Sequence, residues 1–143
     1  MTDISFERLH ASTVAIDGRA VMITGKSGSG KSDLALRLID RGAALISDDY
    51  TLVQRVGAQL FASPPETIRG KMEVRGVGVI TKPALENIPV GLIVDLDLPA
   101  IRFPDPMEMR LIVGILVPAI SLVGFEASTP IKIELALGGL AKS

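Results

Sequence analysis

A glycine-rich segment near the amino end of the chain constrains its fold more than any other part of the sequence. The segment reads Gly25-Lys26-Ser27-Gly28-Ser29-Gly30-Lys31-Ser32. It matches the pattern G-x-x-x-x-G-K-[ST], in which backbone N–H groups surround phosphate groups. An apolar run precedes it at residues 20–24, and a helical pattern follows from Asp33 to Asp40. Because strand, loop and helix occur in this order, the sequence predicts a phosphate-binding P-loop.

The residue types in this segment fit the binding of a nucleotide. Glycines let the backbone N–H groups turn toward phosphate oxygens, and the start of the helix adds unpaired N–H groups. Lys31 is expected to reach the terminal phosphates, and the hydroxyl of Ser32 is expected to hold Mg²⁺. The alternative interpretation is a Gly/Ser loop with a surface lysine.

Composition narrows the class of protein. The 143 residues suit a single domain spanning 1–143. The net charge of −1 and an aromatic content of 3% argue against nucleic acid or an anionic membrane as a partner. The absence of cysteine excludes disulfides and thiolate metal sites and allows a cytoplasmic location. Met1–Arg8 lacks the pattern of a secretion signal.

The chain is predicted to alternate strands and turns around one early helix. Asp17-Gly18 predicts a hairpin between residues 10–16 and 19–24, so the sheet should be mixed. Further strands are predicted at residues 43–47, 51–56, 59–62 and 91–94, helices at 32–41 and from Ser128 or Thr129 to about Leu137, and irregular segments at 68–78 and 102–109. Leu111 to Phe125 is too short for a membrane span and contains Pro118, so it is interpreted as buried strands joined by a turn.

Acidic residues follow two of the predicted strands. Asp48 and Asp49 come directly after one apolar run, and Asp95 and Asp97 come at the end of another. Mg²⁺ prefers carboxylate and phosphate oxygens, and a kinase needs a carboxylate base for the acceptor hydroxyl. Asp48 and Asp49 could divide those two functions, or could form an ordinary turn. Asp95 and Asp97 alternate with apolar residues, which is also typical of a half-exposed strand.

Two more features could contribute to a site. In Glu73-Val74-Arg75-Gly76-Val77-Gly78, Glu73 could bind a metal and Arg75 could neutralise phosphate charge, unless the segment is a solvated hairpin. His10 is the only histidine, and a lone histidine is more often structural than catalytic.

Taken together, these motifs resemble the bacterial HPr kinase/phosphorylase catalytic domain. That family carries a P-loop, a strand ending in two Asp, and a signature of the form E-[IV]-R-G-[LV]-G-[IV]. Here they stand at Gly25 to Ser32, Leu45 to Asp49 and Glu73 to Val79, and His10 stands where the family has a histidine. The resemblance implies an α/β fold, a P-loop-containing mixed sheet with flanking helices, similar to the nucleotide-binding core of phosphoenolpyruvate carboxykinases.

The resemblance also implies roles for single residues. Gly25 to Ser32 would bind ATP, with Lys31 on its phosphates. Ser32 and either Asp49 or Glu73 would hold Mg²⁺. Asp48 would be the base that activates a serine hydroxyl, and Arg75, His10 and Arg102 would assist phosphoryl transfer.

The implied reaction is phosphorylation of a serine of HPr, a carrier protein of the phosphotransferase system that regulates carbohydrate metabolism. The implied reverse reaction uses inorganic phosphate to remove that phosphoryl group and releases pyrophosphate. The family also implies a cytoplasmic homo-oligomer.

The sequence departs from the family at several points. Lys26 replaces the usual Asp, and only about 19 residues precede the P-loop strand, so the additional N-terminal domain of longer members is expected to be absent. The compact form resembles α-proteobacterial members, whose substrate could be a nitrogen-related HPr paralogue. A P-loop kinase of small molecules and a non-catalytic nucleotide-binding regulatory module are the alternatives.

Overall fold

Eleven strands and two helices make up residues 5–104 and 106–140, which are the residues that the computed structural model describes. In chain order they are β1 (Phe6–Leu9), β2 (Ala11–Ile16), β3 (Arg19–Thr24), α1 (Lys31–Asp40), β4 (Ala44–Ser47), β5 (Thr51–Val56), β6 (Gln59–Ser63), β7 (Lys71–Val74), β8 (Gly78–Thr81), β9 (Ile88–Asp95), β10 (Glu108–Ile112), β11 (Ile115–Ser121) and α2 (Thr129–Leu140). A single turn of 3₁₀-helix lies at Glu66–Ile68.

Nine of these strands form one mixed sheet, as the sequence predicted. Its order is β1-β5-β6-β9-β3-β2-β4, with β11 added to β9 and β10 added to β11. The hairpin of β2 and β3 pairs Val14 with Val21. Asp17 and Gly18 form its turn with φ values of 51° and 74°, and positive φ at both central residues is what a type I′ hairpin turn requires.

The strands β3 and β9 lie at the centre of the sheet and are buried on both faces. On one face, Val21 and Leu92 pack with the apolar sides of α1 and α2. On the other face, Met22 and Ile93 pack with residues from β5, β6 and β11. Successive side chains of a strand point to opposite faces, so both strands need unbroken apolar runs. The glycine-rich segment therefore follows β3, a central strand that is packed on both faces.

Within residues 68–78, predicted as a loop, β7 and the start of β8 pair as part of a separate antiparallel hairpin, which is the alternative that the sequence left open for residues 73–78. Gly76 lies in its turn and Gly78 begins β8, with φ values of 86° and 116°. Met72 is 1% exposed and packs into the cluster beneath α1, which fixes the hairpin to the domain. Burial of that one side chain outweighs the local signals for a loop.

The carboxyl-terminal third agrees with the prediction in outline. Residues 111–125 contain strands joined by a turn, but Leu111 and Leu116 are 64% and 60% exposed, so these strands are not wholly buried. The last helix begins at Thr129 as predicted but continues through Gly138 and Gly139 to Leu140.

The prediction differs from the structure at two further places. The segment predicted to be irregular at 102–109 ends where β10 begins, at Glu108, and β1 was not predicted. Residues 1–4, 105 and 141–143 lie outside the described residues. Within the described part of the chain, neither helix combines the length and the apolar character needed to cross a membrane.

Candidate functional site

The segment between β3 and α1, residues 25–30, is called the glycine loop below, and its conformation depends on glycine. Gly28 and Gly30 have φ values of 85° and 100°, which L-residues rarely adopt. A Cβ on Gly25 would lie 2.5 Å from the Oγ of Ser29. The loop therefore closes tightly on itself just before the first turn of α1.

Two polar side chains lie inside this loop. Lys31 is nearly buried, and its Nζ donates to the carbonyl oxygens of Gly25 and Lys26 at 2.7 and 3.1 Å. The Oγ of Ser29 is buried and has no hydrogen-bond partner among the described residues. Buried polar atoms without a partner are rare in folded proteins and often mark the place of an ion or water. The enclosed hydroxyl and the nearby ammonium group thus fit the binding of a phosphate.

Asp48 lies at the carboxyl end of β4, directly beside the start of α1. Its Oδ1 accepts hydrogen bonds from the Oγ of Ser32 at 2.6 Å and from the Oγ of Ser12 at 2.9 Å. Its Oδ2 accepts from the backbone N–H of Glu73 on β7 at 3.3 Å. The carboxylate is therefore buried, held by three donors, and within contact distance of the serine that ends the P-loop motif.

Asp49, the next residue, is exposed to solvent, whereas Asp48 is buried. It has a positive φ of 71°, and its side chain is 61% exposed. Its Oδ1 lies 2.9 Å from the Nε2 of His10, whose ring packs 5.1 Å from that of Tyr50. The structure thus brings the predicted residues Asp48, Asp49 and His10 together at one end of the glycine loop.

Ser12 connects the two aspartates and was not singled out in the sequence. Its Oγ donates to Asp48 and accepts from the backbone N–H of Asp49 at 3.1 Å. It is completely buried in β2. The available signal was the polar pair Ser12-Thr13 inside an otherwise apolar strand. A buried hydroxyl needs a partner, so such a pair indicates a polar contact elsewhere in the fold.

The second acidic pair, Asp95 and Asp97, lies at the amino end of the glycine loop. Both carboxylate oxygens of Asp97 lie 3.0 Å from the backbone nitrogen of Lys26 and accept its N–H. Asp95 accepts from the backbone N–H groups of Asp97 and Leu98 and from the guanidinium group of Arg110, the last at 3.0 Å. These contacts fix the turn after β9 against the amino end of the loop.

The same contacts set the charge state of Asp95. Burial acts to raise the pKa of this carboxyl. The backbone N–H groups of Asp97 and Leu98 and the guanidinium of Arg110 outweigh that effect and hold the pKa of Asp95 below its ordinary value. Asp95 is therefore a charged structural group in this fold.

The remaining predicted residues are on the surface. Lys26, Ser27, Glu73, Arg75 and Arg102 are exposed. Arg102 stacks against Phe103 at 5.3 Å, and within the described residues the side chains of Arg75 and Arg102 make no hydrogen bond to the glycine loop or the aspartates. Across residues 5–104 and 106–140, no three His, Cys, Asp or Glu side chains are grouped as a metal site. The oxygen donors near the loop, Ser32 with Asp48, suit Mg²⁺ only with phosphate oxygens added.

The family model, the two curated proteins and the solved structure described below all carry the name of an HPr kinase. The family model described as "HPr Serine kinase C-terminal domain" matches residues 4–85. An HPr kinase/phosphorylase of Clostridium tetani is 38% identical over 97 residues, which is 63% of this chain and 32% of that protein. One from Chloroherpeton thalassium is 43% identical over 84 residues, which is 58% of this chain and 25% of that protein. The aligned part of the chain thus spans about a quarter to a third of the length of these curated relatives.

A solved structure extends the similarity beyond the residues that the family model matches. The Hpr(Ser) kinase/phosphatase from Coxiella burnetii superimposes with a TM-score of 0.81 at 28% sequence identity. The match covers 95% of this chain and 91% of that one. The shared fold therefore includes β10, β11 and α2 as well as the region around the glycine loop.

Proposed function

The chain belongs to the HPr Serine kinase C-terminal domain family, and on that premise we propose that it is an ATP-dependent protein kinase acting on a serine of HPr or of a nitrogen-related HPr paralogue. One observation carries the proposal. The buried carboxylate of Asp48 lies 2.6 Å from the hydroxyl of Ser32, at the point where the glycine loop enters α1. In kinases, a carboxylate that accepts the proton of the acceptor hydroxyl lies beside the loop that binds the nucleotide phosphates.

Nucleotide binding in this proposal depends on the glycine loop. Its N–H groups and the start of α1 would bind the phosphates of ATP, and the Oγ of Ser29, which has no partner in the described part of the chain, would gain a hydrogen bond. Lys31 would exchange the carbonyl oxygens of Gly25 and Lys26 for terminal phosphate oxygens. This exchange leaves those carbonyls to water or to a rearranged loop, so we expect the loop to adjust when nucleotide binds.

Asp48 is the proposed base. Two serine hydroxyls and one backbone N–H orient its carboxylate, so it can accept the proton of an acceptor hydroxyl without first rearranging. Bound Mg²⁺ would neutralise charge on the transferring phosphoryl group, and Ser32 with Asp49 or Glu73 would hold it. His10 would orient Asp49, and the exposed side chains of Arg75 and Arg102 would move to approach phosphate.

The same site can serve the reverse direction. Inorganic phosphate would attack the phosphorus of phosphoserine, the bond from phosphorus to the serine oxygen would break, and pyrophosphate would form. Asp48 in its protonated form would return the proton to the departing serine oxygen, since a base in one direction must be an acid in the other. We propose this second activity together with a cytoplasmic location, a homo-oligomeric state and a role in regulating carbohydrate metabolism.

The activity is tested by incubating the protein with ATP, Mg²⁺ and either HPr or its nitrogen-related paralogue. Mass spectrometry should detect one added phosphoryl group on a serine of one of the two carriers, stable to acid. Addition of inorganic phosphate should then release pyrophosphate. Unmodified carriers together with phosphorylation of a small metabolite would instead support a small-molecule kinase, and nucleotide binding without transfer would support a regulatory module.

A further inference from the structure

An exposed aromatic ring lies against the carboxyl end of the glycine loop. Phe125 is 65% exposed, yet a Cβ placed on Gly30 would lie 3.0 Å from the Cε1 and the Cζ of its ring. The ring edge therefore touches the backbone immediately before Lys31. The rest of the ring is open to solvent, so its burial contributes little to the core.

The backbone on both sides of this ring is fixed. The guanidinium group of Arg37 on α1 donates to the carbonyl oxygen of Gly124 and, at 3.0 Å, to that of Glu126. Gly124 approaches so closely that a Cβ there would lie 2.6 Å from the carbonyl oxygen of Ser29. Phe125 is thus presented from a rigid segment that packs directly on the glycine loop.

The topology brings this segment to the edge where a nucleotide would lie. The strands β3, β9 and β11 run parallel to one another, so their carboxyl ends share one edge of the sheet. The glycine loop follows β3, and the segment with Phe125 follows β11. In open α/β sheets, ligands bind outside the carboxyl ends of the parallel strands. A group extending from phosphates in the glycine loop would therefore pass this second segment.

We propose that Phe125 is the platform on which the base of the bound nucleotide stacks. The inference rests on the proposed function, because it assumes that a nucleoside triphosphate occupies the glycine loop. Stacking of a base on an aromatic side chain strengthens binding by about tenfold or more. The ring offers a π-face and no hydrogen-bonding group, so adenine and guanine nucleotides should bind with similar affinity.

Calorimetric titration with two probes tests the proposal. The probes are ATP and inorganic tripolyphosphate, both with Mg²⁺, because only ATP carries a base. Phe125→Ala should lose about tenfold or more in affinity for ATP and keep its affinity for tripolyphosphate. Phe125→Trp should restore the affinity for ATP, since a larger aromatic face stacks at least as well. Phe6→Ala, which removes a similarly exposed ring on β1, is the matched control and should bind both probes like the unchanged protein.

Several outcomes would overturn the stacking role. Unchanged ATP affinity in Phe125→Ala would show that the base lies elsewhere, while leaving the phosphate site intact. An equal loss for ATP and tripolyphosphate would show that the ring acts only by packing on Gly30. If the unchanged protein bound neither probe, the nucleotide site itself would be wrong, and the inference would fail with it.

Discussion

At the scale of single residues, the neighbouring aspartates Asp48 and Asp49 lie in different surroundings. Asp48 is buried among three donors, whereas Asp49 is exposed and pairs with His10. We assign Asp48 as base, but its contact with Ser32 also fits a metal ligand, with Asp49 then acting as the base. The two assignments give different dependences on Mg²⁺.

We expect Asp48→Asn to lower the rate of phosphoryl transfer by about 10²-fold or more, as loss of a general base does. Its affinity for nucleotide and its Mg²⁺ requirement should stay close to those of the unchanged protein. Asp49→Asn should instead raise the Mg²⁺ concentration needed for half-maximal rate. The measurement is steady-state transfer to HPr across a Mg²⁺ titration, and the opposite pattern in the two variants would exchange their roles.

The lowered pKa of Asp95 predicts a pH-dependent contribution to stability. A carboxyl whose pKa is lower in the folded state stabilises the fold above its unfolded pKa and loses that contribution as pH falls through the folded value. At neutral pH, Asp95→Asn should lower the free energy of unfolding by about 1–3 kcal/mol, because the charge-assisted bond to Arg110 is lost.

Urea denaturation of both proteins from about pH 7 down to about pH 3 measures this contribution. The difference in unfolding free energy should shrink as pH falls below the ordinary pKa of an aspartate, because the unfolded chain then binds a proton at Asp95 more readily than the folded protein does. Other carboxyl groups affect both proteins alike and cancel. A difference that stays constant over this range would mean that the charge of Asp95 contributes nothing.

Local sequence signals found the residues of the candidate site that lie near one another in the chain. The motif of the glycine loop and the pair Asp48-Asp49 follow from short patterns. The contacts of Ser12 with Asp48 and of Asp97 with Lys26 join residues 36 and 71 positions apart. No local pattern encodes such a distance, so the structure was needed to show that these residues support the site.

At the scale of elements, turns were predicted best because their chemistry is local. Asp17-Gly18 stands where positive φ is needed, and this turn was predicted. The hairpin of β7 and β8 was predicted only as the alternative to a functional loop, since the charges and glycines of Glu73 to Gly78 suit both. Its strand pairing depends on the burial of Met72 beneath α1, which is a long-range contact.

The hairpin gives a prediction that links packing to the site. Met72→Ala should lower the free energy of unfolding by about 2–5 kcal/mol, because it leaves a cavity among buried side chains. It should also loosen Glu73, whose backbone N–H contacts Asp48. Hydrogen exchange should therefore show reduced protection of the amides of β7.

The matched control is Val79→Ala on the paired strand β8, where the side chain is 68% exposed. This variant should keep both its stability and the exchange protection of β7. If Met72→Ala lost stability while β7 stayed protected, the hairpin would be held by other contacts.

At the scale of the whole molecule, binding to the native state must stabilise the fold. With ATP at about 100 times its Kd, the free energy of unfolding should rise by about 2.7 kcal/mol. Differential scanning fluorimetry should therefore show a higher Tm with ATP and Mg²⁺ than with Mg²⁺ alone.

Lys31→Ala should remove this shift and abolish phosphoryl transfer, because the ammonium group is the main charge inside the glycine loop. Lys71→Ala, which removes an exposed lysine from β7, is the control and should keep the shift. A shift of equal size in Lys31→Ala would contradict the role of the loop in binding phosphate.

The double-sided burial of β3 and β9 sets how the gene can vary. In a strand that is buried on one face only, every second position can accept polar residues. Positions 20–23 and 92–94 are fully covered, so a library of all single substitutions, selected for folded protein, should reject polar variants at each consecutive position there. The exposed positions of β10, such as Met109 and Leu111, should accept polar residues. Tolerance of polar substitutions should therefore alternate along β10 and be absent throughout positions 20–23 and 92–94.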